Sequence, residues 1–189
     1  MTLLIRLAAP LQSWGCDSKF NTRRTDRVPT KSGVIGLCAC ALGRKRTDSI
    51  SDLAKLRFGV RTDKQGQLIT DFQTARNDKT AFLSYRHYLA DAEFTVGLEG
   101  YELLLKEIDA ALRSPAYPLF LGRRSCPPTL PISLGIIDLP LEEALKLGAK
   151  PNTKILVDSD GPSNIMKRDL PLSFSQEKRE YRFRSLKEL

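Results

Sequence analysis

The chain has 189 residues, 41% of them hydrophobic and 28% charged, which is enough apolar material for the core of one moderate domain and excludes a disordered or low-complexity chain. No apolar run approaches the ~18 residues of a membrane span, and the opening MTLLIRLAAP is a short apolar run interrupted by Arg6 rather than a signal peptide, so a cytoplasmic protein without membrane contact is expected. The net charge of +8 is local: residues 1–46 carry nine basic and two acidic side chains, while 47–100 sum to −1 and 101–189 to +2, the pattern of a polyanion-binding face or of one that meets acidic protein.

Leu3, Ile5 and Leu7 alternate along Thr2–Leu7 and predict a first strand. Pro10 to Pro29 has no steady period and reads as a long loop, and ordered long loops are usually functional. The only tryptophan, Trp14, lies in it, either as an apolar plug that pins the loop or as a stacking platform for a base. The next segment, Val34–Leu42, is apolar on every side and predicts a buried helix, with Ser32 as N-cap and Gly43 as its stop. A helix starting beside a basic loop presents free N–H groups at Ser32, Gly33 and Val34, which is a ready anion site. It is not a nucleotide-binding P-loop, because the positions that need glycine are Thr30 and Thr25.

The four cysteines at 16, 38, 40 and 126 contain no Cys-x-x-Cys pair, and the single histidine, His87, completes no zinc set. Buried free thiols are expected, with neither metal nor cofactor.

Phe58–Thr62 and Gln67–Phe72 read as two strands joined around Gly66. Gln73–Lys79 is polar, and Thr80–Leu89 mixes Phe82, Tyr85, Arg86, His87 and Tyr88, which suits a protruding hairpin. Glu93–Leu98 reads as a strand and Tyr101–Leu112 as an amphipathic helix with Leu104, Leu105, Ile108, Ala111 and Leu112 on one stripe. The order approximates β-α-β-β-α-β, a ferredoxin-like α+β arrangement that RNA-recognition (RRM) modules also use. The last third is less regular: a Gly-Arg-Arg loop within Leu119–Pro131, then short strands at Thr153–Asp158 and Tyr181–Arg184.

Four blocks resemble one family: Pro10-Leu-Gln-Ser-Trp-Gly15, Thr22-Arg-Arg-Thr-Asp-Arg-Val-Pro-Thr-Lys-Ser-Gly33, Tyr88-Leu-Ala-Asp-Ala-Glu-Phe-Thr-Val96 and Leu119-Phe-Leu-Gly-Arg-Arg-Ser-Cys-Pro-Pro128. In this order they are similar to CasD, the Cas-five-type RAMP subunit of the type I-E CRISPR Cascade complex, from residue 3 to about 145. The resemblance implies a ferredoxin-like RAMP domain over 1–115, a thumb hairpin near 71–90, shorter than is usual in the family, and an irregular, β-rich part over 116–189 packed on the same domain. It implies a subunit that grips the 5′ repeat-derived handle of the crRNA without cutting it and caps the backbone filament. Its partners would be the backbone subunit and the large PAM-reading subunit, with target DNA met only through the assembled complex. The candidate RNA-binding residues are Gln12, Trp14, Arg23, Arg24, Arg27, Lys31, Ser32, Gly33, Arg76, Tyr85, His87, Arg123, Arg124 and Ser125. For Arg123 and Arg124 the alternative is an ion-pair network that pins the C-terminal loops. The alternative function is a metal-independent endoribonuclease on CRISPR repeat RNA, with His87 as acid or base and Tyr85, Tyr88 and Lys79 nearby.

Overall fold

A computed structural model describes residues 1–15, 21–77, 80–161 and 163–189, and the backbone of 18–19. Cys16 and Lys79 therefore lie outside the described residues. In chain order the elements are β1 (Thr2–Ala8), β2 (Leu11–Gln12), β3 (Ser18–Lys19), β4 (Thr22–Arg23), α1 (Lys31–Ala41), α2 (Ser51–Ala54), β5 (Arg57–Lys64), β6 (Gln67–Arg76), β7 (Ala81–Ala90), β8 (Glu93–Glu99), α3 (Glu102–Arg113), β9 (Ser133–Ile137), α4 (Leu141–Lys146), β10 (Ile155–Asp158), β11 (Ile165–Phe174) and β12 (Arg179–Glu188). Among the described residues these make a mixed α+β fold of two sheets. One has seven strands in the order β11-β12-β10-β5-β8-β1-β9; the other runs β2-β7-β4-β3, with β6 also paired to β7.

Alternation places Leu3, Ile5 and Leu7 of β1, with Phe94, Val96 and Leu98 of β8, in the main core, where α1 and α3 cover the sheet. On the other face, Leu141 and Leu145 of α4 pack with Ile155 and Val157. Gly59 and Gly97 make room for α4: a Cβ at either would stand 2.5 Å from a Leu145 or Leu141 methyl.

The expected helices are present as α1 and α3, and α1 ends as expected at Gly43, which has φ +74°. The Arg44 N–H bonds to Ala39 O at 2.9 Å and the Gly43 N–H to Cys40 O at 3.1 Å, the paired bonds of a Schellman stop. Its cap differs: Thr30, not Ser32, accepts from the Gly33 N–H at 3.1 Å. The strands joined around Gly66 do not pair with each other. β6 pairs over all ten residues with β7, from Gln67↔Ala90 to Arg76↔Ala81, in the second sheet. Gly66 makes the change of sheet: it has φ +68°, and a Cβ there would lie 2.5 Å from Ala90 O. The strand expected at Thr153–Asp158 is β10, and Tyr181–Arg184 is the middle of β12. No helix is long and apolar enough to cross a membrane among the described residues.

Candidate nucleic-acid interface

The basic loop is shaped by Trp14. This residue is 1% exposed, and its indole N–H donates to Gln12 Oε1 at 3.0 Å. Gln12 is fully buried and donates to Leu7 O at 3.0 Å and Ala92 O at 2.8 Å. The plug reading of Trp14 therefore describes its place; neither side chain offers a surface to a ligand. Above the plug, the Trp14 N–H donates to Thr25 Oγ1 at 2.8 Å and the Asp26 N–H to Trp14 O at 2.9 Å. Lys167 Nζ pairs with Asp26 at 3.2 Å, and β4 runs parallel to β7 at Thr22↔Tyr85. These ties hold the loop from both sides, while Arg23, Arg24 and Arg27 are exposed and form no ion pair among the described residues.

The Gly-Arg-Arg loop is laid against the same plug. Gly122 has φ +86°, and a Cβ would stand 1.7 Å from Ser13 O, so glycine is required for contact with the chain's own backbone. Arg123 Nη2 donates to Arg23 O at 2.8 Å and Arg24 O at 3.4 Å. Its guanidinium lies 4.7 Å above the Tyr88 ring. Burial alone would raise the Tyr88 phenol, but Ser125 and Arg123 outweigh it and hold it below its usual value. Arg123 is thus the buckle between the two basic blocks, which is closer to the pinning alternative than to a free ligand contact. Arg124 and Ser125 are exposed beside it.

The two arginines should part under mutation. Arg123→Ala removes a charged donor from two carbonyls and a ring contact, which costs about 2 kcal/mol and lowers the melting temperature by roughly 4–8 °C. Arg124→Ala should leave the melt unchanged and weaken RNA binding about tenfold. Thermal melts and RNA titrations on both variants check this; the reverse order would exchange their roles.

The expected anion site at the start of α1 is already filled by the protein. Asp169 Oδ2 accepts the Lys31 N–H at 2.9 Å. Thr30 occupies Gly33, and a Cβ on Gly33 would meet Trp14 Cε3 at 2.8 Å. Lys31 is 5% exposed, and its Nζ pairs with Asp158 at 2.9 Å. Burial pulls the Lys31 ammonium below its usual value, and Asp158 opposes the shift. Lys31 therefore leaves the set of candidate phosphate contacts, because its charge is paired with Asp158 inside. Ser32 stays partly exposed at the cleft of about 130 Å³ that it forms with Ser13, Gly15, Gly122, Phe174 and Tyr181.

On the hairpin, Arg76 and Tyr85 are exposed and share a face with His87 by register. Phe72 packs edge-on to Tyr85, with ring centroids 5.5 Å apart, and is itself 55% exposed. His87 Nδ1 lies 2.9 Å from Thr70 Oγ1. Burial pushes the Cys38 thiol up to about 12 and raises those of Cys40 and Cys126, so these free cysteines carry little thiolate. Sequence reasoning missed Lys167, Asp169 and Arg184, which fix the loop and helix start from 138 or more residues away; only strand pairing reveals them.

A family model described as CRISPR-associated protein (Cas_Cas5) matches residues 2–187. The CRISPR system Cascade subunit CasD of Escherichia coli (strain K12) is 37% identical over 156 residues, 70% of this chain and 70% of that protein. Among solved structures, one described as a Cas protein is 41% identical with a TM-score of 0.80, covering 100% of this chain and 94% of that one. A chain of a CRISPR RNA-guided surveillance complex is 30% identical with a TM-score of 0.87, covering 100% and 89%.

Proposed function

The chain belongs to the CRISPR-associated Cas5 family, and from that membership we propose that it is a non-catalytic RNA-binding subunit of a type I-E Cascade complex, holding the 5′ repeat-derived handle of the crRNA. The observation that carries the reading is the cluster of Arg23, Arg24, Arg27 and Arg124, exposed and without acidic partners among the described residues, on loops buckled together by Arg123. Guanidinium forks without internal partners suit phosphate oxygens. Phosphate contacts fix register, and splayed bases supply sequence preference; to the bases we assign Tyr85, His87 and Arg76 on the hairpin, Ser125 beside Arg124, and Ser32 at the cleft beside Gly122.

We read β1-α1-β5-β8-α3 within 1–115, completed by β9 at Ser133–Ile137 to the spatial order β5-β8-β1-β9, as the ferredoxin-like RAMP core. The β6–β7 hairpin is its thumb, and 116–189 packs on the same body. The thumb's exposed Phe72, Phe82 and Leu83 fit a role among RNA and neighbouring subunits, namely the backbone filament that this chain caps and the large PAM-reading subunit. Target DNA is reached through the assembled complex. On this reading the protein works in the cytoplasm, away from a membrane.

Cleavage of RNA without metal needs an acid and a base across the scissile phosphate. His87 shares a hydrogen bond with Thr70, and we assign it to contact. Repeat RNA incubated with the chain, or with His87→Ala, should stay intact in both. A single cut that disappears in His87→Ala would establish the endoribonuclease instead.

A further inference from the structure

The candidate RNA-binding residues leave out one arginine of the hairpin, Arg86 on β7. Arg86 is half-buried, and its Nε is buried without a hydrogen-bond partner. Its side chain makes no hydrogen bond or ion pair among the described residues. The acid directly opposite on β6, Asp71, instead accepts from Gln73 Nε2 at 2.7 Å.

A buried donor left unpaired costs free energy, and the neighbours of Arg86 add to that cost. β4 lies parallel to β7 with Arg23 beside Arg86. The two guanidinium groups therefore leave the same face of the sheet, and like charges in that relation repel. Tyr88, two residues along β7, shares this face and carries the Arg123 guanidinium 4.7 Å above its ring. Arg123 Nη1 is likewise buried without a hydrogen-bond partner. Three segments distant in sequence, the basic loop, the hairpin and the Gly-Arg-Arg loop, each bring an arginine to one face. Forked donors without an internal acceptor suit an oxyanion. Continuity indicates which one: Arg23 belongs to the exposed cluster read above as binding RNA phosphates, and Arg86 stands directly beside it on the same face.

We propose that Arg86 is a further RNA-binding residue, which holds one phosphate of the bound RNA together with Arg23. This rests on the RNA-holding reading above. It adds to that site a residue from the hairpin strand that no basic sequence block contains.

The test uses the full chain and a fluorescent single-stranded RNA of the repeat-derived handle, with Arg24→Ala/Arg27→Ala as a parallel control and melts of every variant without RNA. Arg86→Met keeps the packing of the stem and removes the charge. It should weaken binding roughly tenfold, the loss of one charge-assisted contact. It should also lower the slope of log affinity against log salt by about 0.7, one phosphate on a single strand. Arg86→Lys should keep the slope and recover only part of the affinity, because an ammonium is a point charge and not a fork. Without RNA, Arg86→Met should melt at or above the parent, since it removes an unpaired donor and a like charge. If the control loses RNA affinity while Arg86→Met keeps both affinity and slope, this inference fails and the RNA-holding reading stands. If Arg86→Met melts well below the parent and binds RNA with an unchanged slope, Arg86 serves the fold and the inference is wrong. If the control and Arg86→Met both bind RNA normally, both readings fall together.

Discussion

Asp169→Ala is expected to lower the stability of the fold by about 3–5 kcal/mol, the cost of breaking a buried charge pair by removing one partner. Asp169 is fully buried. Its Oδ1 accepts from Arg184 Nε at 2.5 Å, and its Oδ2 from Arg184 Nη2 and the Lys31 backbone N–H, each at 2.9 Å. Arg184 also reaches Asp158 at 2.5 Å, and Asp158 accepts from Lys31 Nζ at 2.9 Å. This closed network fastens the C-terminal hairpin to the start of α1, and with it the Lys167–Asp26 tie to the arginine loop. Without the carboxylate, Arg184 keeps one partner in a dry site and the helix loses a negative group at its positive end. At about 2–4 °C per kcal/mol for a chain of this size, the melt should fall by roughly 6–20 °C. Amide exchange should speed up first in β11 and β12. A melting temperature within about 1 °C of the parent would show that the network is not what holds the hairpin.

The second large effect is on binding. Replacing Arg23, Arg24, Arg27 and Arg124 together by alanine should cost about 10²–10⁴ in RNA affinity and reduce the salt slope by about 3 units, at roughly 0.7 per phosphate on a single strand. Because none of the four is buried or paired with an acid among the described residues, the melt should hardly move. Lys31→Ala should do the opposite: its charge faces Asp158 inside, so stability should fall and the salt slope stay. Salt titrations from low to moderate ionic strength separate the two behaviours, and a slope unchanged in the fourfold variant would remove the arginine loop from the interface.

The parts of this structure that were legible in the sequence are those set by local pattern. Alternation located β1 and β8, the amphipathic stripe located α3, and the apolar run closed by Gly43 located α1. The four blocks were enough to find the family. What was not legible depends on residues distant in sequence. Ser32 looked like the cap because it stands beside the glycine, yet Thr30 has the extended backbone, with φ −87° and ψ 147°, that points its hydroxyl at the Gly33 N–H. The helix start looked like an open anion site because nothing local fills it; Asp169 arrives on β11 after a long excursion through two sheets. Lys31 could not be told from Arg27 by composition, although one is buried and the other exposed. Arg123 stood next to Arg124 in the same motif, and only the fold shows that one is turned onto Tyr88 and the carbonyls of the basic loop. β9 and β11 were missed because strands bearing Pro, Gly or charged residues are fixed by pairing to the main sheet and not by their own propensity, and α4 because it is only six residues long.

The most direct measurement is cross-linking within the assembled complex, using guide RNA that carries photoactivatable uridines, followed by identification of the joined peptides. The expected result is cross-links from the 5′ repeat-derived nucleotides to peptides of this chain containing Arg23–Arg27 or Arg123–Ser125. Cross-links from those nucleotides found only on other subunits, with this chain joined to no RNA, would contradict the proposal that it holds the handle.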